Sequence, residues 1–317
     1  MDKSEVRELS YFDTDKSEVR ELSYYDIPEI DESGSERIRY DNQEFRVFAR
    51  RNNNLANEIF PGMVIHYHKD VELICIRSGY ASYRVNDKVI HLESGDGIIV
   101  NSDQLHLLIS EDVDYCLDCV IFDTELIMGN KYIKEKYMPF LIGDAAPDCI
   151  VLRSNNATDK IILEGIGQIV YMSYLEDHEM EILSVLQRVY QLLYETMIKV
   201  DSKRALSAPD LNSMRDMIDY INNNYSGRIT VAGICDRGCI GKNACIDMFK
   251  KYTHMSPIDY VRNVRLLNAI DYLKNSEMSI TEIAYAVGFN SASYFTKSFR
   301  QFYDMTPGEY RKKAVDY

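Results

Sequence analysis

The spacing of apolar positions changes twice along the chain. From Phe45 to about Leu126, short runs rich in Val, Ile and Tyr alternate with turn signals at Pro61-Gly62, Ser78-Gly79, Asn86-Asp87, Ser94-Gly95-Asp96 and Asn101-Ser102-Asp103. Short strands at that spacing predict an all-β barrel or sandwich. Between Asp159 and Val200 the period becomes helical. Ile161, Ile162, Ile166, Ile169, Val170 and Met172 mark one helix, and Ile182, Leu183, Leu186, Val189, Tyr190, Leu193 and Met197 a longer one. These predict an antiparallel hairpin whose apolar faces need cover from the barrel or from a second chain. From Asp210 onward the chain reads as helical throughout. The expected fold class is α+β and multidomain: a β-barrel with a helical hairpin, then an all-α domain.

The last part of that helical region, Ser279–Arg311, is the most specific. Ile280, Ile283, Ala284 and Val287 stand at i, i+3, i+4 and i+7. Ser279 before them, with Glu282 three residues on, is the signature of a capping box. Gly288 follows where a helix needs a left-handed residue to stop. Asn290 or Ser291 can then cap a second helix carrying Tyr294, Phe295, Ser298, Phe299 and Phe302. Two short helices joined by a glycine turn predict a helix-turn-helix, whose second helix enters the DNA major groove. A helical hairpin in an ordinary core is the competing reading.

Charge refines this picture. The 317 residues carry 36 Lys+Arg against 50 Asp+Glu, a net charge of −14. Residues 209–317 hold 14 bases and 12 acids, whereas the preceding part holds 22 and 38. An acidic sensor joined to a mildly basic reader fits this asymmetry. Residues 1–36 are the most acidic, with 12 acids and 4 bases, and repeat DKSEVRELSY at Asp2–Tyr11 and Asp15–Tyr24 with a period of 13. Two copies are too few for a solenoid, and this segment is expected to be disordered or loosely helical. No apolar run approaches the roughly 18 residues of a membrane span, and the polar N-terminus predicts no secretory signal, so a cytoplasmic protein is expected. Seven cysteines, an odd number, argue against a disulfide framework.

The 279–311 stretch closely resembles the signature of the AraC/XylS transcription regulators, I-x-x-I-A-x-x-x-G-F-x-x-x-S-Y-F-x-x-x-F-(K/R) followed by T-P-x-x-Y-R. The matches are Ile280, Ile283, Ala284, Gly288, Phe289, Ser293, Tyr294, Phe295, Phe299, Arg300, Thr306, Pro307, Tyr310 and Arg311. The resemblance covers about the last hundred residues and, more weakly, the N-terminal half. There, His66-x-His68-x3-Glu72-x6-Gly79, with Gly95, Asn101 and His106 downstream, resembles the two motifs of the cupin barrel. In a strand His66 and His68 share one face, and Glu72, Ile74 and Ile76 share their parity. The resemblance implies a cupin-like barrel at 37–156, a hairpin at 157–200 serving dimerisation, a linker at 201–209 and a double helix-turn-helix domain at 210–317.

Three readings of the histidine cluster follow. In the favoured one it lines a metal-free pocket for a small organic effector, a sugar being the class the resemblance suggests, with Arg46, Tyr83 and Asn101 adding hydrogen bonds. In the second its histidines are bonded internally and purely structural. In the third His66, His68, Glu72 and His106 hold a metal; three imidazoles and a carboxylate suit Zn, Fe, Ni or Mn. Asn101, Asp103 and Ser110 depart from the second cupin motif, and no cofactor is expected.

The region Ile229–Tyr252 aligns with the family's first helix-turn-helix, followed by Ser256-Pro257, Tyr260 and Arg265-Leu266. Cys235, Cys239, Gly241 and Asp247 replace a usual Ala, turn Gly, capping Ser and basic residue. Its best expected contacts are Lys242 and Asn243. In the second unit Tyr294, Phe295, Ser298 and Phe299 are expected to pack inward, leaving Ala292, Ser293, Thr296, Lys297 and Arg300 to bases and phosphate, with Asn290 and Ser291 at the helix start. Cys235, Cys239 and Cys245 lack a paired knuckle spacing and read as core fillers. The expected function is a non-enzymatic, homodimeric regulator that binds double-stranded DNA, a small effector and RNA polymerase. The rivals are a metal-dependent cupin enzyme fused to a DNA module, and a constitutive DNA-binding dimer.

Overall fold

The computed structural model describes residues 29–30, 36–38, 40–53, 65–109, 115–141, 146–199 and 209–315. The repeat at 2–24 lies outside them, as do residues 201–208 of the expected linker. A short antiparallel pair, β1 (Glu29–Ile30) and β2 (Glu36–Arg37), falls at the end of the acidic segment expected to be disordered or loosely helical. Backbone pairing, which composition does not report, orders that end.

The N-terminal half is a barrel of two antiparallel sheets. Its strands are β3 (Val47–Asn53), β4 (Val71–Ser78), β5 (Tyr80–Val85), β6 (Lys88–Glu93), β7 (Gly97–Val100), β8 (His106–Ile109), β9 (Cys116–Phe122) and β10 (Cys149–Leu152). One sheet has the order β10-β7-β4-β9-β3 and the other β6-β5-β8. Helix α1 (Lys131–Leu141) precedes β10 and has no counterpart in the sequence reading. The hairpin is α2 (Ala157–Met172) and α3 (Glu179–Lys199).

Strand β4 shows how the layers are made. It is buried at six successive positions because both of its faces are covered. Val71, Leu73 and Cys75 join Ile162, Ile166, Ile169, Leu186 and Val189 in a core between sheet and hairpin. Ile74 and Ile76 point the other way, into the barrel interior, with Tyr83, Val85, Ile98, Leu117 and Ile121. The hairpin thus packs its apolar face on its own barrel. An ion-pair cluster adds to this junction: Asp118 of β9, fully buried, accepts from Arg51 Nε at 2.7 Å and from Arg77 Nε at 2.5 Å. The Arg77 guanidinium lies against α2 at Gly167, where a Cβ would stand 1.9 Å from Nη2.

The C-terminal half is all helix: α4 (Pro209–Asn224), α5 (Val231–Arg237), α6 (Lys242–Thr253), α7 (Pro257–Asn275), α8 (Ile280–Ala286), α9 (Ala292–Tyr303) and α10 (Pro307–Val315). Helix α4 begins at Pro209, the last residue of the segment read as linker. Two helix-turn-helix units result, α5–α6 and α8–α9. Each second helix has 12 residues and ends on a left-handed residue, His254 or Asp304, followed by Met-Ser-Pro or Met-Thr-Pro. The two units are therefore an internal duplication, in which residue n of α6 corresponds to residue n+50 of α9. Helix α7 is the wall between them. Tyr260, Val261 and Val264 belong to the first unit's core, and Leu266, Ala269, Ile270 and Leu273 to the second's. All seven cysteines are unbridged, and no described helix is long and apolar enough to cross a membrane.

Candidate functional site

The barrel site is built where the segment Ile65–His68 meets the start of β8 at a single bridge. His66 pairs with His106, each backbone N–H donating to the other's carbonyl at 3.1 and 2.8 Å. This brings His66, His68 and His106 together, all buried, with one ligand atom from each lying within 4.8 Å of the others. The imidazole centroids are 4.3 Å apart for His66 and His106, and 4.8 Å for His68 and His106. Glu72 completes the group. Its Oε2 lies 2.9 Å from His106 Nε2 and 3.7 Å from His68 Nε2, and its Oε1 accepts from the Tyr83 hydroxyl at 2.9 Å.

The second nitrogen of two imidazoles is fixed from outside. His68 Nδ1 lies 2.9 Å from the Asp70 carbonyl, and His106 Nδ1 lies 2.8 Å from the Gln104 carbonyl. A carbonyl can only accept, so both Nδ1 atoms carry the proton. In the neutral ring Nε2 then presents a lone pair to the cluster. At His106 that lone pair would face a carboxylate oxygen at 2.9 Å, and two acceptors at that distance repel unless positive charge stands between them. A proton on Nε2 or a bound cation meets the requirement. Burial raises the Glu72 carboxyl, but His106 and His68 outweigh it and hold the group well below the usual carboxylate range. The donor set fits a divalent transition metal, and the Nδ1–carbonyl bonds are of the kind that orient metal-ligating imidazoles.

Two residues expected here stand elsewhere. Arg46 is half exposed and pairs with Asp123 beside β3, outside the cluster. Asn101 is buried but spends its amide on a turn, donating to the Pro147 carbonyl at 3.1 Å and accepting from the Ser102 N–H at 2.9 Å. Position in sequence did not reveal the facing of either. The structure places Tyr83, His66, His68, Glu72 and His106 together.

The second site is the pair of helices α6 and α9. Ser279 and Glu282 form the capping box, Gly288 turns at φ +90°, and Ser291 caps α9 by accepting from the Tyr294 N–H. Phe295 and Phe299 are fully buried and Ser298 nearly so, which leaves Ser293, Lys297 and Arg300 exposed and Ala292 and Thr296 half-buried. Asn290 is exposed and Ser291 half-buried at the helix start. Tyr294 corrects the sequence reading. It is 52% exposed, its ring tilted against Phe289, and belongs to the outer face. The core at the fourth position of α9 is filled by Phe295 alone.

In α6, Lys242 and Asn243 are exposed at the first turn, and Asp247 is exposed in the second. Gly241 caps the helix without a side-chain bond. The duplication reveals a further candidate: Lys250, exposed, occupies the position of Arg300. The repeated pairs Phe249-Lys250 and Phe299-Arg300 mark the same correspondence in the sequence. Helix α7, 19 residues long, extends over about 28 Å at the usual rise per residue, close to one turn of DNA at about 34 Å.

Comparison with known proteins agrees in the same order along the chain. Residues 57–193 match the model of an AraC-like ligand binding domain, and residues 234–313 that of a helix-turn-helix domain. The chain belongs to the AraC family of transcription regulators. It is a DNA-binding regulator with an N-terminal ligand-binding half. Among its relatives, the transcriptional regulator YdeC of Bacillus subtilis is 26% identical over 259 residues, covering 78% of this chain and 86% of that one. The transcriptional activator RhaS of Pectobacterium atrosepticum is 24% identical over 261 residues, covering 78% and 88%. The lactose operon transcription activator of Staphylococcus xylosus is 24% identical over 199 residues, covering 63% and 62%. Among solved structures, fatty acid-bound ToxT of Vibrio cholerae aligns with a TM-score of 0.46 at 16% identity, covering 86% of this chain and 97% of that one.

Proposed function

We propose that this regulator reads DNA as a homodimer with α6 and α9 of each chain, and that a small ligand in its barrel sets how the readers are presented to DNA and RNA polymerase. The observation that carries this reading is the pair of second helices with exposed outer faces, α6 and α9, whose units pack on opposite halves of the 19-residue α7. Side chains at the exposed positions of α9 can contact phosphate and base edges, while the first unit is weakened by Asp247 and by its uncapped glycine start. The chain catalyses no reaction in this reading.

A DNA site found by genome-wide footprinting supplies the probe. Lys297→Ala and Arg300→Ala should each lower affinity about tenfold or more in fluorescence anisotropy, as loss of a base or phosphate contact does. Asn243→Ala should cost less. Equal or reversed losses would move the weight of recognition to the first unit.

For the ligand, two classes have support. A sugar is supported by the relative that activates a lactose operon. A divalent metal ion is supported by the cluster itself. The ligand atoms of His66, His68 and His106 lie within 4.8 Å of one another, a spacing that lets one ion touch all three. When bound, such an ion supplies the positive charge that the facing Nε2 and carboxylate atoms require; Tyr83 keeps the carboxylate oriented. Purified protein should then bind close to one Zn(II) per chain in equilibrium dialysis, and a His66→Ala, His106→Ala variant should bind none. Stoichiometric binding surviving in that variant, or none in the unaltered chain, removes the metal reading and leaves titration against a panel of sugars to decide.

A further inference from the structure

The segment that carries the histidines has a second face. Along Ile65–His68 the side chains alternate: His66 and His68 enter the cluster, while Ile65 and Tyr67 point away from it. Those two, with Leu105, are buried in one core with Leu211, Met214 and Ile218 of α4 and with Tyr260 of α7. Leu105 and Leu107 flank His106 in the same alternating way, and Leu107 packs against this core. The Tyr67 hydroxyl donates to Asp219 Oδ1 at 2.5 Å, and the Tyr260 hydroxyl donates to the Ile65 carbonyl at 3.0 Å. The Arg215 guanidinium lies 5.8 Å from the centre of the Tyr67 ring. At the margin, Lys251 of α6 reaches Asp87 of the β5–β6 turn at 3.7 Å.

Every one of these contacts falls on α4, the first half of α7 or α6, the helices whose side chains make up the first unit's core. The second unit's core contains no barrel residue among those described. The exposed start of α6, with Lys242 and Asn243, is not covered by the docked barrel. Docking therefore holds the first reader without blocking it.

We propose that Ile65–His68 is a two-faced relay, in which a ligand drawn between the histidines fixes the bridge to His106 and thereby tightens the hold of Ile65 and Tyr67 on α4. Occupancy of the barrel sets the freedom of the first reader directly and reaches the second only through α7. The physical basis is the short length of the element. Successive residues of an extended strand share one backbone, so ordering the inward side chains orders the outward ones. Both neighbours of the bridge, Ile65 and Leu105, are buried in the interdomain core, so the bridge cannot shift without disturbing it. This inference rests on the reading that the histidine cluster is the ligand site.

Hydrogen–deuterium exchange of the full-length chain tests it. Without added ligand, the conservative pair Tyr67→Phe, Asp219→Asn should speed exchange in residues 211–221 of α4 about tenfold, as loss of a charged hydrogen bond does, and leave β4 unchanged. On the inward face, His106→Gln should also speed exchange in α4, but add nothing in the Tyr67→Phe, Asp219→Asn background. Tyr83→Phe, which loosens Glu72 without touching a histidine, serves in its place if His106→Gln lowers exchange protection throughout the barrel. With Zn(II) as the probe, α4 exchange should slow in the unaltered chain only, while the Tyr67→Phe, Asp219→Asn chain binds the ion equally well. An α4 that ignores the inward-face variants, or one that Zn(II) still protects in the outward-face variant, overturns the relay. Failure of Zn(II) to bind overturns the metal reading alone, since the ligand-free comparison still decides the relay.

Discussion

Replacing Asp118 with alanine is expected to destabilise the N-terminal half by about 3–5 kcal/mol, the usual cost of stripping one partner from a buried ion pair. Asp118 is fully buried and holds two guanidinia at once, Arg51 from β3 and Arg77 from β4, so three strands share one carboxylate. Alanine would leave both cations mostly buried with no counter-charge. In a domain of this size the loss should lower the melting midpoint by roughly 10 °C in a calorimetric scan. A change under about 1 kcal/mol, the value typical of surface pairs, would mean that water replaces the carboxylate. Gly167→Ala attacks the same junction from the helix side. The new methyl group would collide with Arg77 Nη2 and push the guanidinium off its carboxylate.

The second large effect is expected at Gly288. Its φ of +90° lies beyond the left-handed basin that other residues tolerate, and an alanine Cβ would stand 2.6 Å from the Tyr225 carbonyl oxygen and 2.8 Å from that of Ser226. Neither can retreat cheaply. Arg265 Nε donates to the Tyr225 carbonyl at 2.7 Å, and its Nη2 to the neighbouring Gly227 carbonyl at 2.8 Å. Backbone strain of about 1–2 kcal/mol adds to the clash. Gly288→Ala should therefore abolish specific DNA binding and lower the helical domain's melting midpoint, measured by circular dichroism and anisotropy. Near-normal binding would show that the α8–α9 turn can be rebuilt. The equivalent position in the first unit is Cys239, at φ +52°, within the left-handed basin that a side chain can occupy at some cost.

The features legible in the sequence were those set by local chemistry. The period of Ile280, Ile283, Ala284 and Val287, the Ser279–Glu282 box and Gly288 specify the second reader before any tertiary contact is considered. The motif spacing likewise grouped His66, His68 and Glu72, although a bend at Lys69-Asp70 rather than one continuous strand brings Glu72 to the two histidines. What stayed hidden depends on partners distant in sequence. Tyr294 and Phe295 are adjacent aromatics, and only the packing of α8 decides which of them faces inward. Arg46 and Asn101 had the right chemistry, but an ion pair with Asp123 and a turn at Pro147 claimed them. Tyr67 alternates with two histidines, and nothing near it announces that its hydroxyl meets Asp219, 152 residues later. Lys250 was missed although Phe249-Lys250 repeats Phe299-Arg300 in the sequence, and the matched caps of the two second helices bring it out.

Helix α7 has a consequence for the DNA itself. It is a rigid spacer with one unit's core on its first half and the other's on its second. The distance between the two readers is therefore written in the number of residues in a helix. Each residue advances the helix by about 1.5 Å and turns it by about 100°. One residue more or less in α7 would leave α6 and α9 intact yet aim them at different sides of the duplex. The phase between the two half-sites of the operator is accordingly expected to follow from the protein backbone, so inserting or deleting a base pair between them should weaken binding.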